Sequence, residues 1–81
     1  MFGMGNSKSL HSIRVEANDP EGKARVAKIR ERLAEAGRRS GEPAPPARYL
    51  LTNGYDGQEV HTWEIYSRAV LDEFEKLGGE N

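Results

Sequence analysis

Histidines, serines and carboxylates are the residues of this chain that chemistry would have to use. His11 and His61 are fifty positions apart and form no HExxH pair. A metal site built on them would need the fold to bring them together, with Asp56 or Glu64 as a further ligand. On neighbouring strands they would instead make a pH-sensitive contact. Asp72, Glu73 and Glu75 have the side chains of general acids and bases. On a terminal amphipathic segment their spacing reads as a solvated helix face. Ser7, Ser9, Ser12, Ser40 and Ser67 lie in no nucleophile-elbow context. Gly3-Met4-Gly5 lacks the strand-turn-helix setting of a phosphate loop. With no cysteine there is no thiolate metal site, thiol nucleophile or disulfide. No cofactor, metal or catalytic signature is present, and the sequence points away from an enzyme.

Surface chemistry is richer. The formal net charge is -1, but it is unevenly spread. Residues 20–40 hold seven Lys/Arg against three Glu, and residues 41–81 hold three against eight Asp/Glu. Arg25, Lys28, Arg32 and Arg39 recur near helical spacing, so one face of that segment could follow a phosphate backbone. Glu21, Glu31 and Glu35 are spaced to pair with Arg25, Lys28 and Arg39 and neutralise part of it. In the acidic half, Tyr55, Glu64, Tyr66, Asp72 and Glu73 combine aromatics with a charged rim, a common composition of protein interfaces. Trp63 reads as core.

These residues need elements to hold them. Leu10–Ala17 alternates, with Ile13, Val15 and Ala17 against Ser12, Arg14 and Glu16, the period of a half-buried strand. Asp19-Pro20-Glu21 is a helix start, and Val26, Ile29, Leu33 and Ala36 form one apolar stripe. The spacing predicts a helix over 20–37, with Gly37 as its stop and Arg38 and Arg39 at the negative end of the dipole. Residues 40–47 hold Pro43, Pro45 and Pro46 and read as an extended connector. Residues 48–52 form a second strand. Asn53-Gly54 and Asp56-Gly57 are turn dipeptides, and 59–66 is β-branched and aromatic, which predicts a hairpin and a third strand. Ser67 caps a last helix that turns Val70, Leu71, Phe74 and Leu77 inward and ends at Gly78-Gly79. The rival pattern is one long helix from Asp56, with Glu59 completing a capping box.

The expected fold is α+β, a β-α-β-β-α domain over 10–79 with a three-stranded sheet and two helices on one face. The alternative is β-α-β-α with a long C-terminal helix. Residues 1–9 are expected to be a flexible N-terminal tail and 80–81 a C-terminal tail. Met4-Gly5 with Ser9 matches a myristoylation pattern but lacks the initiator position. No apolar span of about 18 residues occurs in the sequence, the N-terminal residues are not expected to act as a signal peptide, and a cytoplasmic location is expected.

A chain of 81 residues buries only about 60% of the surface its unfolded form exposes, so its interior is thin. That favours action through the exterior. The leading expectation is a non-enzymatic protein-binding module, a small inhibitor or adaptor that blocks a surface of a larger protein or complex. A phage-type inhibitor of a bacterial defence complex is one such case. An open sheet edge would also suit a second copy, giving a homodimer. The alternatives are a nucleic-acid-binding regulator using Arg25, Lys28, Arg32 and Arg39, and a small dimeric enzyme with a composite site.

Overall fold

A computed structural model describes residues 8–54 and 56–81. The myristoylation pattern, Tyr55 and most of the expected N-terminal tail lie outside the described residues. The elements run β1 (His11–Glu16), α1 (Pro20–Ser40), β2 (Arg48–Asn53), β3 (Glu59–Ile65) and α2 (Arg68–Lys76). The order is β-α-β-β-α, and residues 59–65 are a strand, as the turn chemistry and β-branched composition predict.

The sheet order is β1-β3-β2, with both pairings antiparallel. β1 and β2 are therefore parallel to each other, joined through α1, with β3 inserted between them. This is a split β-α-β arrangement. Register places Ile13 opposite Trp63 and Val15 opposite His61 on one side of β3. On the other side Tyr49 lies opposite Trp63 and Leu51 opposite His61.

Both helices lie on one face. Ile13, Val15 and Ala17 meet Val26, Ile29, Leu33 and Ala36 of α1, with Trp63, Ile65, Val70, Leu71 and Phe74 completing the core. The Asp19 carboxylate accepts a hydrogen bond from the Gly22 N–H at 2.7 Å and fixes the start of α1. Gly22 is glycine because a Cβ there would lie 2.4 Å from the Glu16 carbonyl oxygen. The Ser67 hydroxyl caps α2 through the Val70 N–H.

One boundary differs from expectation. α1 continues through Gly37 to Ser40 and ends at Gly41, whose φ of 73° lies in the left-handed region. Gly37 answers to packing instead. A Cβ there would lie 3.1 Å from the Pro46 ring, so the missing side chain lets the proline-rich connector cross the helix. The connector is thus 41–47. At the C-terminus Glu80 lies 2.7 Å from His11, and Arg32 donates to the Asn81 carbonyl.

Candidate interaction edge on strand β2

β2 reads Arg-Tyr-Leu-Leu-Thr-Asn, and all six residues are exposed. Apolar strands of this kind normally enter a core. Here α1 and α2 sit over β1 and β3, and β2 lies beyond their cover. Tyr49 and Leu51 face the helix side at 43% and 45% exposure, and Leu50 faces the open side at 57%. They are consecutive and account for three of the five exposed large hydrophobic residues described.

The backbone adds a second feature. The Gly54 N–H donates to the Gln58 carbonyl at 2.8 Å and closes the hairpin. Antiparallel alternation from that pair directs Arg48, Leu50 and Thr52 toward β3. It turns the N–H and C=O groups of Tyr49, Leu51 and Asn53 outward. Among the described residues no strand pairs with those groups, and they form an edge of the sheet.

One polar tie joins β2 to the interior. His61 is 7% exposed, and its Nδ1 is 2.7 Å from the Tyr49 hydroxyl. Its Nε2 lies 3.6 Å from the Glu59 carboxylate. The Tyr49 ring sits 5.5 Å from that of Trp63, while His61 and Trp63 stack at 6.0 Å. The Arg30 guanidinium lies 5.8 Å from the Tyr49 ring centre, a cation–π distance. Beside this cluster runs a shallow, mainly apolar groove of about 280 Å³, lined by Arg30, Ala34, Pro46, Ala47, Tyr49 and Trp63.

The residues singled out by the sequence are distributed as follows. Glu64 is half-buried on the open face, accepts a hydrogen bond from the Tyr66 hydroxyl at 3.0 Å, and lies opposite Arg48. Asp72 and Glu73 lie in α2, on the helix-covered side. Asp72 is 3.9 Å from Arg68, and Glu73 is 3.3 Å from Lys76. The acidic residues therefore do not form one surface.

The basic residues divide too. Arg32 reaches across to the Gly79 carbonyl at 2.8 Å. Arg39 lies 3.0 Å from Glu35, whose carboxylate Arg38 also binds. Hydrogen bonds from these two arginines hold the Glu35 carboxyl below the usual carboxylate range. Arg25 and Lys28 remain exposed, and the expected pairs with Glu21 and Glu31 are not among the described ion pairs. The histidines occupy neighbouring strands but do not meet, because His11 is opposite Ile65 and His61 opposite Val15. Among the described residues, no group of three potential ligands is placed to hold a metal ion. No described helix is long and apolar enough to cross a membrane.

Tyr49 belongs with Tyr55, Trp63 and Tyr66 to the aromatic cluster of the acidic half, whereas Leu50, Leu51 and Arg30 stand in no motif of the sequence. The available signal was the absence of any charge between Arg48 and Asp56. Comparison of the chain with protein-family models, curated proteins and solved structures returns no match.

Proposed function

We propose that this chain is a non-enzymatic, cytoplasmic protein-binding module, a small inhibitor or adaptor, and that β2 is the surface it presents. One observation carries the reading: β2 combines a backbone edge that no described strand pairs with and three consecutive exposed apolar side chains. An extended segment laid against it would bond to the outward groups of Tyr49, Leu51 and Asn53. Each such bond contributes about 1 kcal/mol net. Alternate side chains of that segment would meet the Tyr49–Leu51 side and the Leu50 side. Glu64 and Tyr66 supply a polar rim near Arg48, while Asp72 and Glu73 stand away from it.

The test is affinity capture from the native host with mass spectrometry, comparing the wild-type chain with Leu50→Lys. Proteins held by the wild type are expected to be lost from the variant. Glu64→Lys should weaken capture, and the pair Asp72→Lys and Glu73→Lys should leave it unchanged. A partner retained by Leu50→Lys and lost on reversal of Asp72 and Glu73 would move the binding surface to α2.

A second reading, a nucleic-acid-binding regulator, draws support from the exposed side chains of Arg25 and Lys28. It requires binding that falls steeply as salt rises in a mobility-shift titration.

A further inference from the structure

Resting on the reading of β2 as a binding edge, we infer that its occupant is a second copy of this chain. The two β2 strands pair antiparallel about a two-fold axis that brings Leu50 opposite itself.

The register follows from the strand's own residues. Only outward-bonding residues can exchange hydrogen bonds across a new pairing, which restricts the partners to Tyr49, Leu51 and Asn53. With Leu50 on the axis, Tyr49 of one copy lies opposite Leu51 of the other, and the same pair recurs by symmetry. Leu50 meets Leu50 in a non-hydrogen-bonded pair, where side chains are closest, and Arg48 meets Thr52. Every apolar residue then faces an apolar one, and no like charges are opposed. Moving the axis to Leu51 sets Tyr49 against Asn53 and Leu50 against Thr52, wasting both apolar contacts. Moving it to Tyr49 sets Leu50 against Arg48 and draws Pro45 and Pro46, which cannot donate, into the ladder.

Charge favours a like partner. The strand carries no charge from Tyr49 to Asn53, so two copies meet along it without opposing like charges. The chain's net charge of -1 leaves two copies little mutual repulsion. The far edge of the sheet does not compete, because β1 carries Arg14 and Glu16 there.

The product is a six-stranded sheet. Its axis stands perpendicular to the sheet, so both helix layers lie on the same side. Tyr49 and Leu51 of both copies floor a trough between them, with each Arg30 on its wall. A thin single-chain core would thereby gain a buried strand pair.

The chain has no cysteine, so Leu50→Cys introduces its only thiol. Two such residues on the axis stand at a separation that suits a disulfide. Mild oxidation of Leu50→Cys is expected to yield a covalent dimer, whereas Leu10→Cys, at comparable exposure, should not. Sedimentation equilibrium should give twice the 9.0 kDa chain mass for the wild type and the single-chain mass for Leu50→Lys. Circular dichroism of Leu50→Lys should match the wild type. Cross-linking by Leu51→Cys in place of Leu50→Cys would overturn the register. A wild-type chain that stays at 9.0 kDa at every concentration would overturn self-pairing. Loss of a foreign partner from the same Leu50→Lys variant would then leave the binding-edge reading standing.

Discussion

β1 and β2 flank the same central strand, pair with it in the same sense, and have the same length. They nevertheless meet opposite environments. β1 buries Ile13 and Val15 under the helices and turns Ser12, Arg14 and Glu16 to solvent. β2 buries nothing. The difference lies in what sits above each strand. α1 leaves β1 through a tight joint at Asp19 and Gly22 and returns over it, whereas the connector carries the chain past the helix layer before β2 begins. Burial in a small sheet is thus decided by where the helices are placed.

The largest effect that would sharpen this contrast is a pair of truncations. Ile13→Ala should cost about 2–5 kcal/mol of unfolding free energy in a denaturant titration. Leu51→Ala, measured at high dilution, should cost less than about 1 kcal/mol. Equal losses would mean that β2 is covered after all. Next in size is the joint that holds β1 to its helix. Gly22→Ala drives a Cβ against the Glu16 carbonyl, and overpacking of this kind costs about 1–3 kcal/mol. A neutral result would break the account of β1.

Tyr49→Phe probes the tie between β2 and the interior. It removes the hydroxyl that partners buried His61 and should destabilise by about 1 kcal/mol, with the Trp63 fluorescence shifting as the neighbouring rings relax. The smallest effect is expected at the end of α1 from which the connector departs. Arg38 and Arg39 depress the Glu35 pKa in the folded chain, so the unfolded chain binds its proton more readily. That stabilisation is present above the ordinary carboxylate value of 4.5 and fades as pH falls below it. Glu35→Gln should flatten the acid limb of the stability profile slightly, because the pair is exposed. An unchanged acid limb would dismiss the contribution.

The elements were largely legible because their signals are local. The Asp19-Pro20-Glu21 start, the stripe from Val26 to Ala36, the β1 alternation and the Ser67 cap each appear within a few residues. The end of α1 was less so. Gly37 resembles a stop, and only the approach of Pro46 reveals it as a packing glycine, with Gly41 ending the helix. The set of Glu64, Tyr66, Asp72 and Glu73 is close along the chain, but Glu64 lies on the open face of the sheet and Asp72 and Glu73 lie on α2. Arg32 and Arg39 share helical spacing with Arg25 and Lys28, yet one reaches the C-terminal carbonyls and the other pairs with Glu35.

By itself the sequence determined the α+β class, the element types outside 59–66, where a strand and a long helix both fit, and the helix faces that form the core, since periodicity, caps and turns act over one or two turns of chain. Only the tertiary structure decided that β3 inserts between β1 and β2 and that the apolar run at Tyr49–Leu51 stays uncovered. Those outcomes depend on which distant elements meet, and an apolar strand has the same local pattern whether or not a helix comes to lie on it.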